Sequence, residues 1–112
     1  MAQWQIEIEN EMARAADARK NPHEGRLRTS ARRIAGIALA EYRRVVRGVQ
    51  NQDSFIVLLD ECALDPAKPD NVRDAARRLE TRVGSDFSSP ATDPIGDAEI
   101  IVAFVRSAVQ KS

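Results

Sequence analysis

Seven arginines fall between residues 26 and 47, in RLRTSARRIAGIALAEYRRVVR, with Glu41 as the only acid among them. Guanidinium groups hold phosphate and carboxylate in a forked, two-bond geometry, so a row of arginines is the feature of this chain best suited to binding chemistry. The spacing is that of an α-helix. At about 100° per residue, Leu27, Ala31, Ile34, Ala35, Ala38, Tyr42 and Val45 share roughly 100° of arc. Arg26, Arg28, Arg32, Arg33, Arg43, Arg44 and Arg47 occupy a separate arc about 160° wide. Arg26, Arg33, Arg44 and Arg47 are the candidate phosphate-binding residues. The opposing expectation is a solvated face paired with acids of the first and fourth helices.

Other residue types offer less. His23 is the only histidine and stands beside Pro22 in a turn, with no second histidine to share a metal. Cys62 is the only cysteine. It lies among Leu59, Ala63 and Leu64, which reads as buried packing and not as a nucleophile, and it permits no internal disulfide. Of Glu7, Glu9 and Glu11, only the first and last share a helical face, and the group reads as a solvated acidic start to its helix. The five glycines are isolated, so no phosphate-cradling loop is formed. No catalytic residue, metal site or cofactor site is expected.

These side chains must be positioned by helices. Trp4, Ile8, Met12 and Ala15 mark a first helix over residues 2–20, stopped by Asn21-Pro22. His23, Glu24 and Gly25 make a short turn. A second helix runs to about Arg47 with Gly48 as its stop. Asp53 or Ser54 caps a third helix ending near Leu64; its FIVLL run could also form a buried strand, but the apolar pattern continues through Cys62 and Ala63. Asp70 caps a fourth helix, with Val72, Ala75, Ala76, Leu79 and Val83 inward and Gly84 as its end. Residues 84–92 are loop-like, with Phe87 as an anchor. Asp93-Pro94 starts a fifth helix with Ala98, Ile101, Val105, Ala108 and Val109 inward and Ile100 and Phe104 at the border.

Composition agrees with a single domain over residues 1–112, an all-α, up-and-down bundle of four to five helices. The 112 residues and 43% hydrophobic content suffice for one core. One Trp, one Tyr and three Phe leave that core aliphatic and alanine-rich, which favours close-packed helices over a β-sandwich. The short side chains of Ala31, Ala35 and Ala38 let a neighbouring helix come close, whereas the arginines opposite are expected to have no comparable packing role. Net charge is zero, but residues 1–25, 26–52 and 53–112 carry −2, +6 and −4. That asymmetry reads first as internal pairing and second as a basic binding face. No apolar run approaches the roughly 20 residues of a membrane span. The acidic N-terminus lacks the pattern of a secretory signal, so a cytoplasmic protein is expected.

In outline the chain resembles HEPN-type proteins, a superfamily of small helical bundles. The resemblance lies in Trp4 opening the first helix, the alanine-rich stretch from Ala13 to Ala18 and the Glu24-Gly25 turn. It continues in small residues at Ala31, Ala35, Ala38 and Ala40, and in the closing DAEIIVAFVRS from Asp97 to Ser107. It implies a bundle of four or five helices, often dimeric. It also implies one of two roles: a metal-independent ribonuclease, or a partner of a nucleotidyltransferase-type protein. The nuclease members use an arginine followed, four to six intervening residues later, by a histidine on a late helix. Here the only histidine is early, and Ala16, Asp17 and Ala18 stand where that arginine would. The reading is therefore a non-catalytic interaction module with a protein partner or a second copy of itself. Nucleic-acid or nucleotide binding through the arginine face is the alternative. RNA incubated with the purified protein in the absence of metal should remain intact on a gel; cleavage lost on a single substitution would reveal a site this reading lacks.

Overall fold

A computed structural model describes residues 2–20, 24–48, 53–80 and 93–110, with the side chains of residues 18–20 and 24–26 outside that description. Five α-helices follow in order: α1 (Gln3–Lys20), α2 (Glu24–Tyr42), α3 (Phe55–Leu64), α4 (Asp70–Glu80) and α5 (Pro94–Gln110). A π-helical turn, Arg43–Arg47, extends α2. The described residues contain no strand, and FIVLL is helical. The architecture is an all-α bundle in which α2 packs against all four other helices.

The helix ends follow from local chemistry. The Ser54 hydroxyl accepts the Val57 N–H at 3.3 Å, so Ser54, and not Asp53, caps α3. Asp93 caps α5, its carboxylate accepting the Gly96 N–H at 3.1 Å, with Pro94 in the first turn. Gly48 ends the π turn at φ 68°, a conformation open to glycine at little steric cost.

Three expectations are corrected. Glu24 and Gly25 belong to α2 and not to the preceding turn. Asp70 is the first residue of α4 and not its cap: the Pro69 carbonyl accepts the Val72 and Arg73 N–H groups, both at 3.1 Å. Asp70 instead places a negative charge at the positive end of the helix dipole. The α-helical part of α2 stops at Tyr42, where the wider π turn takes over. Asn21, Pro22, His23, Val83 and the 84–92 stretch with Phe87 lie outside the described residues.

The core is aliphatic. Ile8, Ile34, Leu59, Leu79, Ile101 and Val105 are its largest fully buried side chains. Each such side chain contributes about 1.5–3 kcal/mol by leaving water. Ala31, Ala35 and Ala38 are 0% exposed, and Ala75, Ala76 and Ala98 match them from α4 and α5. Small residues facing small residues bring helix axes close together. At one end Lys68 is buried, with its Nζ 2.6 Å from Asp65 Oδ2 and 4.7 Å from the centre of the Tyr42 ring. That ring in turn lies 5.6 Å from Phe104. The hydrogen bond from Lys68, with one from the Ala67 N–H, holds the Asp65 carboxyl below its ordinary pKa.

Gly36 marks a second close approach. It lies mid-helix in α2, where glycine costs about 1 kcal/mol relative to alanine. A Cβ added there would fall 2.9 Å from Phe55 Cβ, and nearer still to the ring. The missing side chain is therefore the seat of the first residue of α3. Gly36→Ala should gain helix propensity yet destabilise the protein by about 1–3 kcal/mol in urea melts, because the ring must leave its place. In a double-mutant cycle Phe55→Ala should absorb much of that loss; strict additivity of the two changes would show that the ring is not what Gly36 accommodates.

Candidate functional site

The arginine row of α2 does not stand free. Residues at 0–9% exposure run from Ile34 through Ala31, Arg28 and Leu39 to Arg43, a buried arc of about 180° at helical spacing. It is nearly twice the width the apolar residues alone suggest, because α2 has neighbours on several sides. The edge of the cationic arc is drawn inside. Arg28 is 5% exposed and Arg43 is 9% exposed, which corrects, for these two, the expectation that the arginines have no packing role comparable to that of the alanines. Arg32 donates from Nε to the Leu79 carbonyl of α4 at 2.7 Å. Arg43 reaches Asp53 Oδ2 at 2.6 Å and also pairs with Glu61 of α3. The hydrogen bond to Asp53 leads the causes that raise its pKa, and the charge of Glu61 adds to it.

Of the four candidate phosphate-binding residues, Arg26 has its side chain outside the described residues. The other three keep an outward position, and each has a carboxylate partner. Arg33 meets Glu11 of α1 at 3.5 Å. Arg44 pairs with Glu41, one turn back on α2, through Nε at 3.1 Å and through Nη2. Arg47 meets Glu61 of α3 at 3.1 Å. These acids come from α1, α2 and α3, not from the fourth helix. Asp97 of α5 is the buried acid that faces α4; it takes Arg78 in a forked pair at 2.7–3.2 Å.

Glu11 is a further correction. Read as part of a solvated acidic start, it is 6% exposed and lies between Arg14, at 2.7 Å, and Arg33. Burial on the α2 side of α1 is tolerable because two guanidinium groups face it. Glu7, Asn10, Glu11, Arg14, Arg33, Ile37 and Phe55 line an open groove of about 510 Å³ there.

The residues with nucleophilic or metal-binding chemistry are not brought together. Cys62 is buried, and burial pushes its thiol up to about 11, so it is protonated at neutral pH. His23 lies outside the described residues. Among the described residues no group of three or more His, Cys, Asp and Glu side chains is placed to hold a metal ion.

The sequence reading missed the outer face of α3. Leu58, Leu59, Cys62 and Ala63 face the core, which leaves the opposite side of the helix to Ile56, Val57, Asp60 and Leu64. Ile56 is 44% exposed, Val57 47% and Leu64 67%. The signal was present in the sequence: five consecutive apolar residues at 100° each sweep the whole helix, so a single core contact cannot cover them all. Beside this strip Arg47, Val57, Asp60, Glu61, Leu64, Asp65 and Pro66 line a shallow groove of about 500 Å³. The carboxyl of Asp60 lies beside another carboxyl, that of Glu80 of α4, near enough to share a hydrogen bond when one of the two is protonated.

Comparison with protein-family models, with curated proteins and with solved structures returns no match. Fold and site define the class at this level: an all-α bundle whose outward Arg33, Arg44 and Arg47 are paired and whose third helix turns apolar side chains to solvent.

The carboxyl pair makes a pH prediction. Partial burial, followed by the Asp60 hydrogen bond and charge, raises the pKa of Glu80 in the folded protein. A raised carboxyl pKa means that folding favours the protonated form. Stability from this group is present below the unfolded value, near 4.3, and is lost as pH rises through the folded value. Glu80→Gln should therefore raise the melting temperature at pH 7 and change it little at pH 3.5–4. An equal shift at both pH values would mean that the charge of Glu80 is not the cause.

Proposed function

We propose that this protein is a non-catalytic helical interaction module that docks a protein partner on the outer face of α3, in the cytoplasm. The observation that carries the reading is the exposure of Ile56, Val57 and Leu64 on one side of a ten-residue helix. Clustered apolar surface of this kind marks interaction sites, whereas single exposed apolar residues need no explanation. The cytoplasmic part rests on the single cysteine, buried and without a disulfide partner. No helix among the described residues is long and apolar enough to cross a membrane. The HEPN resemblance adds one candidate class of partner, a nucleotidyltransferase-type protein.

Binding of nucleic acid or a nucleotide through Arg26, Arg33, Arg44 and Arg47 is the second reading. Its support is that the Arg33, Arg44 and Arg47 side chains remain 51%, 63% and 51% exposed even while paired. Phosphate would have to compete with the carboxylate already on each of them.

One set of measurements separates the two. A photo-crosslinking residue at Val57 should capture a protein in cells, and the same residue at the exposed Asp74 of α4 should not. Purified wild-type protein should show no salt-sensitive binding to RNA or DNA. Adducts at Val57 no stronger than at Asp74 would remove the docking face. Salt-sensitive RNA binding, weakened when Arg26, Arg33 and Arg44 are replaced together, would establish the second reading in its place.

A further inference from the structure

Resting on the docking role of α3, we infer that its partner is a cationic amphipathic helix, seating apolar side chains on Ile56, Val57 and Leu64 and a lysine or arginine on Asp60 and Glu80. Ile56, Asp60 and Leu64 are four residues apart, so they form one row along α3, about 12 Å long. The row reads apolar, acidic, apolar. A flanking groove beside such a row is the setting in which one helix packs along another.

The charge of the occupant follows from which acids are already satisfied. Glu61 lies between Arg43 and Arg47. Asp65 is held by the buried Lys68 at 2.6 Å. Asp60 is exposed, no ion pair to it is found among the described residues, and its carboxyl lies beside that of Glu80. Arg77 acts on Glu80 only as the weakest influence and is itself 3.3 Å from Asp74. Two carboxyls sharing a hydrogen bond repel each other once both are ionised, and burial raises the pKa of Glu80 further. An ammonium or guanidinium group delivered beside them would remove the repulsion and complete a charge-assisted pair. A second copy of the chain fits less well. Two-fold packing on this row would bring its own Asp60 and Glu80 toward their duplicates, and like charges in apposition oppose association.

Fluorescence anisotropy with defined probes tests the inference. The probes are a labelled leucine–lysine amphipathic peptide of about 18 residues, long enough to form a helix, and its leucine–glutamate counterpart. The proteins are wild type, Leu64→Ser, and Asp60→Asn combined with Glu80→Gln; unchanged circular dichroism certifies each fold. The lysine peptide should bind wild type more tightly than the glutamate peptide does. Leu64→Ser should weaken that binding by about tenfold, as loss of an interface anchor does. The charge variant should weaken it by about tenfold and flatten its salt dependence. Equal binding of both peptides, with Leu64→Ser still weakening each, would overturn the cationic partner and leave the docking face standing. Failure of the lysine peptide to bind wild type, or indifference to Leu64→Ser, would overturn the inference together with the face it needs. Wild-type protein sedimenting as a dimer that Leu64→Ser dissociates would assign the face to a second copy and overturn the inference.

Discussion

Close approach to α2 is the constraint on which the bundle depends. Five helices share one core only if one of them can be touched from several directions. Ala31, Ala35 and Ala38 meet that need with fully buried single methyl groups, and Gly36 meets it on another side by having none. Tight packing there widens the buried arc of α2 to about 180° at helical spacing, so the helix cannot bury only its apolar residues. Arg28 and Arg43 go in with them. A guanidinium excluded from water is tolerable only when acceptors surround it, and Asp53 and Glu61 flank Arg43 for that reason. The position of the start of α3 is thus tied to the end of α2 by charge as well as by the Phe55–Gly36 contact.

The polar links have a pattern that the charge totals only hint at. Arg33 joins α2 to α1, Arg32 joins it to α4, Arg47 joins the π turn to α3, and Arg78 joins α4 to α5. Half-exposed pairs of this kind contribute about 0–1 kcal/mol each, against about 1.5–3 kcal/mol for each large aliphatic side chain buried. Apolar burial therefore provides the stability. The ion pairs decide which helix lies beside which, since a wrong pairing would leave Glu11 or Asp97 buried without a base. Within the +6 segment of a neutral chain, Arg33, Arg43, Arg44 and Arg47 each have a carboxylate partner, so a phosphate would have to displace an acid at every one of them.

What could be read in the sequence was what depends on a single element. The apolar rows of α1 and α4, the caps at Ser54 and Asp93 and the stop at Gly48 are local, and periodicity with side-chain chemistry discloses them. The burial of Glu11, Arg28 and Arg43 depends on how many neighbours a helix has, and no single-helix pattern carries that number. Asp70 was misplaced because a carbonyl, that of Pro69, took the role that composition assigns to a side chain. Of the arginines proposed for phosphate, Arg33, Arg44 and Arg47 were legible as outward residues. The partners of Arg33 and Arg47 were not, since Glu11 and Glu61 arrive from other helices, whereas Glu41 lies one turn from Arg44 on its own helix.

The contrast between α2 and α3 carries the functional argument further than either helix alone. Helix α2 is rich in charge and yet covered on most of its sides; α3 is rich in apolar residues and yet covered on one. Leu58, Leu59, Cys62 and Ala63 complete the core contact of α3, so Ile56, Val57 and Leu64 add little to folding while they remain half open to water. Their physical consequence is borne by the surface, where clustered apolar side chains favour association. On the docking face proposed above, Asp60 would set the kind of association. An uncharged residue at that point would leave a strip that any apolar surface could cover. A carboxyl beside a second carboxyl would make the same strip selective, because an occupant without a base would have to leave both acids in a desolvated contact.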